Sequence, residues 1–583
     1  MSNTFAVTNK DIARILREMA LLYEIKGVHY KPRAYERAAR SISELAEPVR
    51  DIYEREGTEG LTECAGVGKS IAEHIEHLLT TGRFPDYEEL KVDVPVDVMG
   101  LTSVEGVGPQ TVKTLYNTLG ITTVDELEQA VHERKVRELS GFGAQTEENI
   151  ASGIAFLRAS GGRLLRGAVA SDVYELCGII AGLEHVLRAE VAGSFRRCTE
   201  TVGDIDILLV SAKPAQAMKQ ITDLSYVDYV YGSIGETKTT MRLTSGIDAN
   251  VWIVPEKSWG AALSYFTGSK DHNVALGHIA TEKGWKLSED GLFDEHNVLL
   301  AGKTEEELYE KLGMTCIPPE LRENTGEMEA ALSNNLPSLI GYDSLKGDLQ
   351  MHTSWSDGRD SIEERARYAH NMGYEYIAIT DHTQSLRMTG GLDEAALRKQ
   401  MKEIGEVNKK LATDGLIFRV LAGAEVNIMK DGSLDVDDEV LHELDIVGAA
   451  LHSHFNLDRQ QQTKRLLAAI EHPAVHIINH PTARMINKRT GAELDFDLVL
   501  EAARTHNVAL EVDASPERLD LPDILVRRAV NAGVMLVVNS DAHANKGLAA
   551  ITYGIANARR GWAEEKDVIN TRSLDDMLLM LTT

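Results

Sequence analysis

Three groups of residues in this 583-residue chain have types and spacings that could do chemistry. The first is Gly193-Ser194-Phe195-Arg196-Arg197, followed by Asp204-Ile205-Asp206 at the head of the apolar run DIDILLV. Alternate residues of a strand share a face, so the two carboxylates project side by side. Carboxylates so placed suit two divalent cations that clamp a triphosphate and ready a hydroxyl for attack. Backbone N–H groups of Gly193 and Ser194 could hold phosphate oxygens, and Arg197 could add charge-assisted bonds to them. A D-x-D pair alone is usually a solvated strand end; the G-S-x-R-R upstream gives it meaning.

The second group lies after residue 345, where apolar runs end in metal-ligand types. LKGDLQMHTS supplies His352, with Asp357 close behind, and YIAITDH supplies Asp381 and His382. VLAGAEVNI supplies Glu425, IVGAALHSHF His452 and His454, VHIINHP His480, and MLVVNSDAH Asp541 and His543. Helical runs such as DEAALRKQMKEIGEVNKKLA alternate with these strands, which predicts a parallel barrel whose strand ends share one mouth. A lone His at a strand end is usually structural. Seven or eight ligand types aimed at one mouth instead point to clustered Zn, Mn or Fe and to phosphoester hydrolysis. His454 reads as a residue behind the ligands, donating to one of them or to phosphate.

The third group is a repeat, Gly66-Val67-Gly68, Gly106-Val107-Gly108 and Gly141-Phe142-Gly143, each opening a helical pattern. A glycine turn at a helix start exposes backbone N–H groups and the positive end of the helix dipole, a seat for one phosphate. One copy would read as a packing corner; three matched copies favour contact with a DNA backbone. The formal net charge of −29 excludes a protein that grips nucleic acid through a basic surface, so any such contact is local.

These groups need ordered elements to hold them. Hydrophobic residues at 43% and charged residues at 26% supply an ordinary globular core. No apolar run is long enough for a transmembrane helix, and no basic-then-apolar leader opens the chain. Cys64, Cys177, Cys198 and Cys316 are scattered, which reads as reduced thiols in a cytoplasmic protein.

Residues 1–320 resemble the X family of DNA polymerases, related to DNA polymerase beta and the nucleotidyltransferase superfamily. The resemblance rests on the first group together with Tyr265-Phe266-Thr267-Gly268-Ser269 and Asn273. It implies that Tyr265, Phe266 and Gly268 line the deoxyribose, that Asn273 contacts the incoming base, and that Mg2+ or Mn2+ sits at Asp204 and Asp206. The glycine turns resemble helix-hairpin-helix motifs. Residues 345–583, including the run Glu511 to Asp520, resemble the PHP domain, a seven-stranded βα barrel with a trinuclear metal site. That resemblance implies two or three Mn2+ or Zn2+ ions on His352, Asp357, His382, Glu425, His452, His480, Asp541 and His543.

Three positions depart from these patterns. Counting back from Pro255, Asn250 stands where the third catalytic carboxylate is expected, with Asp248 two residues earlier on the same face. An amide cannot serve as base for the primer 3′-hydroxyl. His74 stands at the Schiff-base lysine position, with Lys69 one turn away, which predicts weak or absent lyase activity. Gln350 replaces the first His of an H-x-H and is a weaker ligand.

The expected fold is multidomain: an α-helical helix-hairpin-helix region, an α+β nucleotidyltransferase core and a C-terminal (βα)7 PHP barrel. Its expected parts are helical domains at 1–90 and 91–158, the catalytic domain at 159–256, a nucleotide-selection domain at 257–320, a linker at 321–345 and the barrel at 346–583. The expected function is gap-filling DNA polymerase coupled to a 3′–5′ exonuclease or phosphodiesterase. The expected partners are gapped duplex DNA, 3′ ends and dNTPs; no membrane, and a monomer. The alternatives are a nuclease whose polymerase module only binds DNA ends, motivated by Asn250, and a non-enzymatic scaffold, which the near-complete barrel set disfavours.

Overall fold

The computed structural model describes residues 7–45, 47–64, 66–104, 106–159 and 162–582. They divide into two compact units, Met1–Gly162 with Asn487–Arg489, and the remainder.

The first unit is helical. Its helices share one apolar core running from Ile12 to Ile154, so a single core serves both segments placed at 1–90 and 91–158. The three glycine turns have one design. Gly66, Gly106 and Gly141 take left-handed φ of 79°, 81° and 86°, which a side chain would strain. Gly68 and Gly108 cap the helices Lys69–Thr81 and Pro109–Leu119 in extended conformation, and Gly143 precedes the helix Ala144–Ala159. Val67 and Val107 between them are buried, which pins each turn.

The second unit begins with a five-stranded mixed sheet. In spatial order its strands are Val186–Val191, Asp204–Ser211, Asp248–Ile253, Lys238–Leu243 and Val227–Val230. Helices Trp259–Thr267 and Lys270–Glu282 lead into a small antiparallel sheet of residues 286–301.

The stretch expected as a linker at 321–345 is packed. Met328 and Ala331, on the helix Glu327–Leu332, enter the core of residues 276–331, while Ile340 and Leu345 enter the barrel core. Buried Arg322 pairs with Glu305, and Glu327 accepts from His272 Nδ1 at 2.8 Å. Prolines and asparagines mark where a chain turns, and they are silent about whether the turn is buried.

The barrel is the expected one. Seven parallel strands follow in chain order: Gly347–Asp348, Tyr376–Ile379, Arg419–Asn427, Ile446–Ala450, Ile477–Ile478, Ala509–Asp513 and Leu536–Asn539. A bridge between Met351 and Ala542 draws its ends together. Inward side chains such as Leu421, Ile446 and Val537 cluster with Met577 and Leu581 of the C-terminal helix. Strands this buried read as continuous apolar runs, which is why the sequence announced them.

Candidate functional site

Asp204 and Asp206 lie on one strand, and parallel pairing sets Asp206 opposite Asn250 and Asp204 opposite Asp248. Asn250 Nδ2 donates to Asp204 Oδ2 at 3.0 Å and to Asp206 Oδ1 at 3.2 Å, while its Oδ1 accepts from Thr240 Oγ1 at 2.9 Å. The amide, at the position where a third carboxylate is expected, thus turns its donor end toward both aspartates. Burial and the neighbouring Asp204 raise the Asp206 carboxyl to about 6. Asp248 is engaged elsewhere, by Arg242 Nε at 2.8 Å and by the Tyr231 hydroxyl at 2.9 Å. A Cβ on Gly193 (φ 65°) would meet Asp206 Oδ2 at 2.4 Å, so this turn can carry only glycine if the carboxylate is to sit above it.

Ser194 is half-buried beside that turn. Arg197 Nη1 donates to Thr267 O at 2.5 Å and its Nε to Glu323 Oε1 at 3.0 Å. These bonds tie Arg197 to the Tyr265–Ser269 turn and to Glu323. Phe266 stacks on Trp252 with ring centroids 4.4 Å apart, Tyr265 is exposed, and Asn273 Nδ2 donates to Tyr265 O at 2.7 Å. Gly268 has φ 70° beside Arg197.

In the barrel, all the expected ligands converge. His352, Asp357, His382 and His543 offer ligand atoms within 4.8 Å of one another, as do His382, Glu425 and His452. His480 Nε2 lies 2.8 Å from Glu425 Oε1, and His352 Nε2 lies 3.0 Å from Asp541 Oδ1. His382 Nδ1 and Glu425 Oε2 are 2.8 Å apart, yet each is a buried atom without a hydrogen bond. A ring nitrogen and a carboxylate oxygen this close but misaligned are what ligands aimed at a common cation look like, and the orphaned Gln350 Oε1 points the same way. The donor set fits divalent metal.

Outer contacts fix the ring tautomers. His452 Nδ1 donates to Asn427 Oδ1 at 2.8 Å, leaving Nε2 to face Glu425. His543 Nδ1 donates to Asp541 O at 2.8 Å, leaving Nε2 toward Asp357 at 3.5 Å. Burial pushes the His543 ring down, but Asp357 and Asp541 outweigh it and lift its pKa to about 9. Burial, with His382 and His543 beside it, lowers His352.

Gln350 is fully buried and turns its amide Nε2 to Glu425 at 3.1 Å and to Asp541 at 3.5 Å. His454 is exposed outside the cluster. His74 has both ring nitrogens engaged, Nδ1 with the Tyr35 hydroxyl at 3.0 Å and Nε2 with Asp86 at 2.8 Å; Lys69 is exposed.

Sequence reasoning assigned no role to the sixth strand. Glu511 and Asp513 on it are fully buried with pKa values raised, Glu511 by burial and Asp513, and Asp513 by burial and Asp541. Arg518 Nε lies 3.5 Å from Asp513 Oδ2 and 3.9 Å from Asp541 Oδ2. The E-x-D alternation on an apolar strand was the signal that could have found them. Asp381 likewise stands behind the ligands, accepting from Thr353 N at 2.8 Å and Gln400 Nε2 at 2.6 Å.

Family models match in four places. Residues 7–84 match a helix-hairpin-helix domain, 98–155 a SAM-like helix-hairpin-helix tandem, 262–323 the DNA polymerase beta thumb, and 348–513 the PHP domain. A Bacillus subtilis (strain 168) protein named DNA polymerase/3'-5' exonuclease PolX is 37% identical over 572 residues, 97% of this chain and 98% of that one. The chain belongs to the X family of DNA polymerases that carry a PHP domain. DNA polymerase lambda of Arabidopsis thaliana is 22% identical over 349 residues, 54% of this family X chain and 62% of its own. A probable phosphatase of Caldanaerobacter subterraneus subsp. tengcongensis is 33% identical over 207 residues, 34% of this chain and 75% of that protein.

Proposed function

We propose that this family X chain is a two-headed enzyme of DNA ends, adding nucleotides to a primer at Asp204 and Asp206 and trimming 3′ ends in the barrel mouth. The observation that carries the reading is the meeting of His and carboxylate side chains from six barrel strands, close enough to share cations and misaligned as hydrogen bonds. Asp204 and Asp206 would hold Mg2+ or Mn2+; His352, Asp357, His382, Glu425, His452, His480, Asp541 and His543 would hold two or three Mn2+ or Zn2+ ions. Such ions, when bound, supply charge neutralisation and Lewis acidity at the scissile phosphate.

The chain's own residues do the rest. Gly193 and Ser194 offer backbone donors to the triphosphate, Tyr265 and Phe266 wall the sugar, and Asn273 approaches the base. The glycine turns at Gly66–Gly68, Gly106–Gly108 and Gly141–Gly143 hold the DNA backbone through N–H groups, which an acidic protein can offer without a basic face. His74, with both nitrogens engaged, forms no imine, so lyase activity is weak or absent. The reading places the protein in the cytoplasm as a monomer; among the described residues no helix is long and apolar enough to cross a membrane.

A second reading, trimming alone on a polymerase body that only binds ends, is favoured by one observation, the Asn250 amide spanning both carboxylates. A labelled primer on a one-nucleotide-gapped duplex with Mn2+ separates the two. Extension with dNTPs and shortening without them supports the two-headed reading. Shortening that dNTPs never alter leaves the second.

A further inference from the structure

A cleft of about 570 Å³ opens within the second unit, where the polymerase body, the segment after the thumb and the barrel meet. At one wall stands Arg166, 9% exposed. Its Nε donates to Phe195 O and its Nη2 to the Tyr174 hydroxyl, both at 3.2 Å. Its guanidinium carbon lies 5.0 Å from the Phe195 ring centroid and 5.5 Å from that of Tyr553. Among the described residues no carboxylate pairs with it, and its Nη1 has no partner.

The other charges of the cleft are neutralised. Arg196 holds Glu305 in a two-pronged bond at 2.9 and 2.7 Å. Arg559 Nε donates to Glu320 at 2.7 Å, and the Tyr342 hydroxyl donates to the same carboxylate at 3.2 Å. One largely buried guanidinium is thus left with no counter-charge from the protein and with donor capacity to spare for an outside anion. Beside it the rings of Tyr174 and Tyr342 are 57% and 46% exposed. A cation beside an exposed aromatic ring is how proteins hold unpaired nucleotides, phosphate on the charge and base on the ring; Tyr174 is the more exposed of the two, whereas the Arg559 guanidinium carbon lies 5.0 Å from the Tyr342 ring centroid. The volume admits a small-molecule-sized occupant.

Short stretches of chain link the cleft walls to residues of both centres. Pro516 packs so tightly on Gly167, next to Arg166, that a Cβ there would approach it to 2.4 Å, and two residues on is Arg518 at the barrel carboxylates. On the other side Arg196 and Cys198 flank Arg197, the residue tied to the Tyr265–Ser269 turn. The seam is tied twice more, by Arg484 to Glu200 and by Arg560 Nη1 to the Arg197 carbonyl at 2.8 Å.

The geometry points to a binding site for one nucleotide of a single DNA strand in this cleft, its phosphate on Arg166 and its base on the exposed tyrosines, holding a 3′ tail as it passes between the two centres. The assignment rests on the reading of the chain as an enzyme of DNA ends.

The test is photocrosslinking of the full-length protein in EDTA, which silences both metal centres. One probe is a thymidine pentanucleotide ending in 4-thiothymidine, the other 4-thiothymidine monophosphate, with adducts located by peptide mass spectrometry. The pentanucleotide is expected to label peptides containing Tyr174, Cys198 or Tyr342, with yield about tenfold lower in Arg166→Met and in Tyr174→Ala. Tyr174→Phe is expected to retain it. Should Arg166→Met fail to fold, the exposed Tyr174 pair carries the comparison. Labelling elsewhere only, or yields untouched by both variants, overturns the site; labelling by the mononucleotide alone overturns the strand in favour of a pocket for released product. A protein that extends and trims primers yet gives no such adduct refutes this inference and leaves the two-headed reading intact.

Discussion

At the proposed polymerase centre Asn250 stands beside two carboxylates; in the barrel Gln350 stands among eight His and carboxylate side chains that are candidate ligands. Each amide stands where the sequence resemblance leads one to expect a ligand, and each turns its NH2 toward two carboxylates. The settings differ. Two carboxylates on one strand face have little to spare, so losing a third removes much of the negative charge that attracts cations and the group that would accept a hydroxyl proton. The barrel keeps ligands from six strands, locked by Asn427 behind His452 and by the Asp541 carbonyl behind His543. On the two-headed reading, a centre assembled from many anchored groups loses little by one weak member, whereas a centre of three is slowed by it.

The comparison breaks first at its strongest point. His452→Ala removes a ligand and is expected to lower 3′-end trimming by more than about a hundredfold while extension persists. Trimming that survives the change would take the nuclease out of the barrel. Next, Asn250→Asp should raise nucleotide insertion by about ten- to a hundredfold, since it restores a proton acceptor. The same variant trades two stabilising amide donors for a third negative charge, so without metal its melting temperature should fall, and Mn2+ should restore it. Removing the anchor rather than the ligand, Asn427→Ala should weaken barrel metal affinity about tenfold, measured by Mn2+ titration of trimming; an unchanged midpoint would mean the His452 tautomer is set by something else.

A region that needs no metal sharpens the contrast. Burial pushes the Glu305 carboxyl up, but Arg322 and Arg196 overrule it and hold its pKa at about 2, against an ordinary 4.5. A carboxylate depressed in the folded state contributes stability above pH 4.5 and loses it as pH falls toward 2. That contribution, about 3 kcal/mol at most, should vanish on acidification in wild type and be absent at every pH in Glu305→Gln. EDTA should leave it untouched. Parallel acid-melting curves for the two proteins would contradict the assignment.

Much of this was legible in the residues. The parallel run of strands, the paired aspartates and the histidines at strand ends are local patterns, and periodicity reports local patterns well. What escaped depends on partners distant in sequence. Arg197 reads as a phosphate ligand from its sequence neighbours, and nothing local signals its bonds to Thr267 and Glu323, 70 and 126 positions away. The stretch 321–345 reads as a connector because its prolines and asparagines are visible while the two cores that absorb Met328 and Ile340 are not. Glu511 and Asp513 escaped because a carboxylate on an apolar strand announces burial but not its neighbours.

The most direct test of the central claim, that the same kind of amide handicaps one centre and not the other, is a single gapped-duplex assay run on Asn250→Asp and Gln350→His side by side. Extension by Asn250→Asp should rise at least about tenfold, while trimming by Gln350→His should change by less than about threefold at saturating Mn2+. Trimming that jumps on restoring the histidine while extension stays flat would contradict it.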